Sequence, residues 1–300
     1  MSDERYPRGS SDEPIGGETA SANDSCAEDA ARAGRALLEE VRVLDNYEEA
    51  PGVWVIALES PRVASLIRPG QFVHLRLTGF EAHILRRPIS VYGTDAEAGF
   101  IELMYQVVGS GTDWMTKLEE GDVLDLIGPL GQGWRPPLCA RRALLVTGGL
   151  GAAPLTMLAE ELIDAGVEVE TVMGAPTAQR LVCRERLEGD GRGMVQVATD
   201  DGSEGLHGFS TVLAEERLQA AHDGLIEPYD YIAVCGPAPM MRIVCATVAR
   251  LAPQALCEIS LEKRMACGIG ACLSCVVETV DGLKRSCKDG PVFAAEEVVW

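Results

Sequence analysis

The chain has 300 residues, with 26 Lys and Arg against 46 Asp and Glu and a formal net charge of −20 at pH 7. A chain this acidic, with no Lys/Arg cluster interleaved with aromatics, excludes a nucleic-acid interface, and no apolar run approaches the roughly 18 residues that a membrane crossing needs. Ten cysteines without a signal-peptide core point to a reducing, cytoplasmic setting, where thiols serve metals rather than bridges.

Residues 1–35 are rich in Ser, Asp, Glu, Gly and Ala and almost devoid of large apolar side chains. Such a segment cannot bury enough surface to offset its ordering entropy, so a disordered acidic tail is expected. Over 36–138 the hydrophobic pattern has period two. Val53–Leu58, Gln71–Leu77, Ile89–Tyr92, Phe100–Val108 and Asp122–Ile127 read as strands, with Arg68-Pro-Gly70, Gly93-Thr-Asp95 and Glu120-Gly-Asp122 as turns between them. Short strands broken at regular intervals predict an antiparallel barrel, interrupted by one short helix over Thr112–Glu119.

From 139 to 255 the character changes. Ala143–Thr147 is a continuous apolar strand, Val167–Met173 a second and Tyr231–Cys235 a later one, with amphipathic helices after the first and last. Strands alternating with helices predict a doubly wound parallel sheet covered on both faces. The expected architecture is therefore multi-domain β plus α/β, closed by a small cysteine-rich domain over 256–300.

That last segment carries the strongest signal. Cys267, Cys272, Cys275 and Cys287 are spaced C-x4-C-x2-C-x11-C, and the fourth thiol follows a hairpin of Val276–Thr279 and Gly282–Ser286. Plant-type [2Fe–2S] proteins use the C-x4-C-x2-C…C pattern. A loop wrapping such a cluster must be nearly free of bulk so that backbone amides reach the sulfurs, and Gly268, Gly270 and Ala271 permit that. Structural zinc stays open as an alternative, although zinc sites usually pair two close C-x2-4-C units. The other six cysteines are scattered singly and read as small buried hydrophobes.

Three further stretches carry chemistry. Arg87-Pro-Ile-Ser90 offers a guanidinium fork fixed beside a proline, suited to a diphosphate. Downstream, Tyr105 within Met104-Tyr-Gln106 can face a planar ring, and Gly109-Ser-Gly-Thr112 opens the short helix; the same residues also read as ordinary strand core and turn. Gly148-Gly-Leu-Gly-Ala-Ala-Pro154 joins a strand to a helix as a diphosphate-binding glycine loop would, without being a strict G-x-G-x-x-G. Cys235-Gly-Pro237 leaves another parallel strand at the carboxyl edge where open α/β sheets bind ligands. Cys235 there is either a neighbour of the nicotinamide or core filler, and His74 on a barrel strand reads as structural. Beyond Val167–Met173 no pair of basic residues waits for a 2′-phosphate, although Arg180 could reach one, so NAD is favoured over NADP.

Together these motifs resemble the ferredoxin-reductase superfamily, which joins a flavin-binding barrel to a pyridine-nucleotide domain. With Glu262-Lys-Arg-Met-Ala-Cys267 and Cys287-Lys-Asp-Gly-Pro-Val-Phe293 added, the chain from about Leu37 onward is similar to electron-transfer subunits of NAD-dependent (B-type) dihydroorotate dehydrogenases. The resemblance implies FAD contacts from Arg87, Pro88, Ile89, Ser90, Met104, Tyr105, Gln106, Gly111 and Thr112. It implies a nucleotide loop at Gly148, Gly149, Gly151 and Gly236, and [2Fe–2S] ligands at Cys267, Cys272, Cys275 and Cys287. It further implies an FMN-containing catalytic partner that oxidises dihydroorotate, in a heterotetramer. No catalytic side chain is expected beyond the cofactors. A reductase subunit of another complex, of ferredoxin–NADP reductase or hydrogenase type, stays open, as does a zinc-binding interaction module.

Overall fold

The computed structural model describes residues 36–79 and 84–300; the expected tail over 1–35 lies outside them, as does Cys26. The first element is a strand that the period-two reading did not single out. β1 (Leu37–Ala50) buries Val41 and Val43 while Glu40, Arg42 and Leu44 face outward. It turns at Gly52, whose φ of +73° suits glycine, into β2 (Val53–Glu59). A short helix, α1 (Pro61–Ala64), leads to β3 (Phe72–Arg76), β4 (Arg87–Asp95) and β5 (Phe100–Gln106).

Next comes α2 (Ser110–Met115), earlier and shorter than the expected 112–119. Its end has a local cause: the Asp122 carboxylate captures the Glu119 amide at 2.9 Å, and Gly121 turns the chain at φ +94° into β6 (Val123–Leu130). The six strands close in the order β1-β2-β5-β4-β3-β6, all antiparallel. β1 is the strand that closes the ring, pairing with β2 on one edge and β6 on the other. Ile56, Leu58, Val73, Leu75, Ile101, Leu103 and Leu126 fill its interior.

The second layer begins with β7 (Arg142–Gly148), a 3₁₀ turn over Gly149–Ala152 and α3 (Ala153–Asp164). It continues through β8 (Glu168–Ala175), α4 (Arg184–Glu188), β9 (Met194–Thr199), β10 (Leu206–His207) and α5 (Ser210–His222). β11 (Tyr231–Cys235), α6 (Ala238–Leu251) and β12 (Leu256–Ser260) follow. The hairpin falls where the sequence put it, β13 (Val276–Thr279) against β14 (Gly282–Arg285), and β15 (Val292–Ala294) comes after it.

The sheet order is β10-β9-β8-β7-β11-β12-β15, parallel except for β15, which runs antiparallel to β12. The sheet therefore does not stop at 255: β12 is its sixth strand and β15, from the cysteine-rich segment, its edge. At its amino edge Glu170 is buried and fully engaged. Arg217 Nε lies at 2.6 Å, Tyr229 donates its hydroxyl at 2.5 Å, Gln196 its amide at 2.9 Å, and Arg142 Nη2 stands at 3.3 Å.

Barrel and sheet share one core. Val53, Val55, Tyr92 and Met104 of the barrel pack with Leu155, Leu158 and Leu162 of α3. Polar contacts fix the angle: the Trp134 indole donates to the Pro154 carbonyl at 2.9 Å, and Thr156 Oγ1 donates to Tyr92 O. Arg186 stacks over Tyr92 at 4.3 Å while pairing with Glu160 at 2.7 Å and Glu102 at 3.2 Å. No described helix is long and apolar enough to cross a membrane.

Candidate cofactor cleft and cluster loop

A cleft of about 510 Å³ opens between barrel and sheet. Arg87, Pro88, Ile89, Ser90, Met104, Tyr105, Gln106 and Thr112 line it from the barrel, and Gly148, Gly151, Cys235 and Gly236 from the sheet. Residues as distant in sequence as Arg87 and Gly236 thus meet on one surface because β4 and β5 are neighbours in the barrel while β7 and β11 are neighbours in the sheet.

Each wall has a local reason. The Arg87 guanidinium lies against the Cα of Gly111, where any side chain would strike its nitrogens; Gly111 stands behind the wall and clears space for the fork that faces the cleft. Partial burial pulls the Arg87 pKa down from its ordinary value, and the guanidinium stays a cation suited to an anion. Thr112 Oγ1 accepts the amides of Val108 at 2.9 Å and Gly109 at 3.2 Å, fixing the turn into α2. Tyr105 is among the cleft-lining residues and is also buried in the barrel core, with its hydroxyl donating to Asn46 Oδ1 at 3.0 Å.

On the sheet side the turns after β7 and β11 touch backbone to backbone. A methyl on Gly151 would collide with the Cys235 carbonyl and reach Gly236 Cα at 2.8 Å, and one on Gly148 would meet Pro237 Cδ at 2.9 Å. Gly149 sits between them at φ +55° with nothing beside its Cα, so its part is conformational and it does not line the cleft. Cys235 does, but complete burial pushes its thiol up to about 12, and a neutral thiol is a packing group rather than a nucleophile. Arg180, the candidate for a 2′-phosphate, instead donates to the Pro51 carbonyl on the barrel. Arg184 nearby is paired with Glu188 and Glu204 at 2.8 and 2.6 Å.

The four motif thiols lie on one loop and just beyond the hairpin that follows it, with Cys275 and Cys287 buried in a common apolar group and Cys272 exposed. Amides converge on them: Gly270 N–H donates to Cys287 Sγ at 3.1 Å, and those of Ala271 and Cys272 to Cys267 Sγ at 3.3 and 3.4 Å. Gly268 at φ +71° and Gly270 at φ +82° bend the loop so that this is possible. Hydrogen bonds from the Ser274 hydroxyl and amide hold the Cys272 thiol down at about 6, whereas burial pushes Cys287 up to about 12.

Four thiols approached by loop amides supply the donor set of a two-iron cluster, which takes two thiolates per iron.

The loop adjoins the cleft. Cys275 and Cys287 are buried in one apolar group with Phe72, Leu130 and Met265, and Phe72, Met265 and Pro291 also line the cleft. His74, fully buried on β3, faces Gly268; burial, reinforced by Arg86, holds its ring down at about 4. Sequence reasoning missed Phe72, Ser260, Leu261, Lys263 and Pro291 as cleft residues. The usable signal was position: 260–265 directly precedes the first thiol, at the carboxyl end of a sheet strand.

Fold and site define a class, a flavin- and pyridine-nucleotide-binding oxidoreductase subunit of ferredoxin-reductase architecture with an appended iron–sulfur segment. Comparison with known proteins agrees. Residues 51–134 match the oxidoreductase FAD-binding domain, 145–246 the oxidoreductase NAD-binding domain, and 262–299 the iron–sulfur cluster binding domain of dihydroorotate dehydrogenase B. The electron transfer subunit of dihydroorotate dehydrogenase B (NAD(+)) from Desulforamulus reducens is 35% identical over 268 residues, 87% of this chain and 98% of the relative. Its counterpart from Listeria monocytogenes serotype 4b is 38% identical, covering 87% and 99%. This chain belongs to that family of electron-transfer subunits. Among solved structures, a chain of the NADH-dependent reduced ferredoxin-NADP oxidoreductase is similar at TM-score 0.75 and 31% identity, covering 87% of this chain and 90% of that one. A ferredoxin NADP+ reductase from Neisseria gonorrhoeae shares the fold at TM-score 0.60 and 18% identity, over 74% and 98%.

Proposed function

We propose that this chain is the electron-transfer subunit of a cytoplasmic dihydroorotate dehydrogenase in pyrimidine biosynthesis, working with an FMN-containing catalytic subunit in a heterotetramer. When bound, [2Fe–2S] supplies one-electron transfer, and FAD converts it to hydride transfer to NAD+. The chain's own residues bind and orient. Arg87 places a cation for the FAD diphosphate, Ser90 and Thr112 offer hydroxyls, and Tyr105 supplies a ring face. The turns at Gly148, Gly151 and Gly236 let backbone approach the nucleotide, while Cys267, Cys272, Cys275 and Cys287 hold the cluster. Arg180 and Arg184 are engaged elsewhere, which supports NAD over NADP.

The observation that carries this reading is the shared apolar group: Phe72 and Met265 touch both the cleft and the buried thiols. This supports a reading in which one layer of side chains separates the flavin site from the cluster site. On the outer side, exposed Ile269, Leu273 and Cys272 mark where a partner would cover the loop. Copurification with the catalytic subunit tests the proposal. The complex should contain flavin, iron and sulfide and reduce NAD+ with dihydroorotate, an activity that neither subunit alone should show. An anaerobic complex with flavin but no iron or sulfide would sink it. The similarity to the NADH-dependent reduced ferredoxin-NADP oxidoreductase chain favours, as second reading, a subunit of a ferredoxin-linked complex; activity with ferredoxin and none with dihydroorotate would select it.

A further inference from the structure

His74 is the polar residue that the barrel interior does not explain. Its neighbours on β3, Val73 and Leu75, are apolar and equally buried. Both ring nitrogens are buried, and neither has a hydrogen-bond partner. An unpaired buried donor or acceptor is destabilising, and a leucine would fill the space without that cost. The ring lies where the barrel meets the cluster loop. A methyl on Gly268 would come within 2.5 Å of Nδ1 and 3.1 Å of Cγ, so the loop backbone rests directly on the imidazole. Backbone groups of Cys267 and Arg86 also face the ring, and Arg86 is itself tied down by Asp125 and donates toward the His74 carbonyl. The adjoining Cys267 Sγ receives two loop amides, so the orientation of its backbone sets the position of that sulfur.

We propose that His74 is a positioning residue for the cluster-binding loop, its ring N–H aimed at the Cys267–Gly268 backbone that rests on it and so fixing the first thiol ligand against the barrel. The proposal rests on the cluster reading above. Gly268 is then glycine for two reasons, its positive φ and the imidazole beneath it.

The test uses the full chain with its catalytic partner, purified anaerobically as wild type, His74→Leu, His74→Gln and Gly268→Ala. The readouts are flavin, iron and sulfide per chain, the electron paramagnetic resonance spectrum after reduction, and the rate of iron loss to a chelator. His74→Leu should keep its flavin but lose iron about 10-fold faster, the low end of the effect of removing a group that supports a metal ligand, with shifted resonance lines. His74→Gln, which retains an N–H donor, should recover most of the difference. A His74→Leu protein with wild-type iron retention and spectrum, or a His74→Gln protein no better than His74→Leu, overturns the proposal. Should His74→Leu fail to fold, Gly268→Ala decides: it lifts the loop off the ring and should loosen iron with flavin retained, and a wild-type result refutes the idea. Wild-type chain without iron and sulfide would instead overturn the cluster reading itself.

Discussion

Replacing Gly151 with alanine would insert a methyl between two backbone segments already in contact. The new carbon would collide with the Cys235 carbonyl oxygen and stand 2.6 Å from its carbon and 2.8 Å from Gly236 Cα. These atoms belong to the turns after β7 and β11 and have no rotamer to change, so the turns must move apart. Overpacking of this kind costs about 1–3 kcal/mol. If the displacement is taken from the approach of these turns to the nucleotide, the KM for NADH should rise roughly 5- to 150-fold at about 1.4 kcal/mol per factor of ten. The flavin should stay bound, since its proposed contacts lie on the barrel. Gly149→Ala is the control: nothing stands near its Cα, and only the positive φ resists, at about 1–2 kcal/mol in the turn. The assay is NADH oxidation by ferricyanide, with KM and kcat separated and flavin content and Tm measured alongside. A Gly151→Ala protein with normal Tm and normal KM would refute the reasoning, and so would flavin loss as the main effect.

Cys272→Ser should abolish electron exchange with the catalytic partner while sparing NADH oxidation by ferricyanide, and equal loss of both would argue against separate cluster and flavin sites. Glu170→Ala strips Arg217, Tyr229, Gln196 and Arg142 of a common partner and should cost about 3–5 kcal/mol in urea unfolding; a cost under about 1 kcal/mol would mean that the network contributes little. Cys235, whose thiol is raised from 9.0 to about 12 by burial, should resist iodoacetamide at pH 8 in the folded protein while exposed Cys139 reacts. The folded state holds that proton more tightly than the unfolded one, so this contribution to stability is present below pH 9 and lost as pH rises toward 12; Cys235→Ala should flatten that decline. Arg186→Ala removes the stack on Tyr92 and the pairs to Glu160 and Glu102 and should lower stability by about 1–3 kcal/mol, seen as a lower Tm with flavin still bound.

Much of the molecule was legible residue by residue. The C-x4-C-x2-C spacing and the hairpin at 276–286 are local, and the apolar run Tyr231–Cys235 declares a buried strand; the structure places the hairpin and that strand at or within a residue of their expected positions. The candidate cleft was legible as fragments, because glycine loops at strand ends and Arg87-Pro-Ile-Ser90 declare themselves locally. Gly111 and Gly149 show the limit. Both were grouped with the lining residues, yet one clears room for Arg87 and the other only turns the chain. Phe72 and Pro291 were invisible as cleft residues, since an apolar strand residue or a proline looks the same wherever its side chain points.

By itself the sequence determined which chemistry the chain can hold: four thiols spaced for two irons, amide-rich turns for phosphates, and the alternation that separates barrel from parallel sheet. Only the tertiary structure decided which of many similar apolar edges meet. It made β1 close the barrel, drew β15 back onto β12, sent Arg180 to the Pro51 carbonyl and buried Cys275 and Cys287 together against Phe72. The reason is the range of the forces. Ligand spacing and turn geometry are set by bonds and torsions along a few residues. Strand pairing and burial are set by solvent exclusion over surfaces that sequence neighbours do not share.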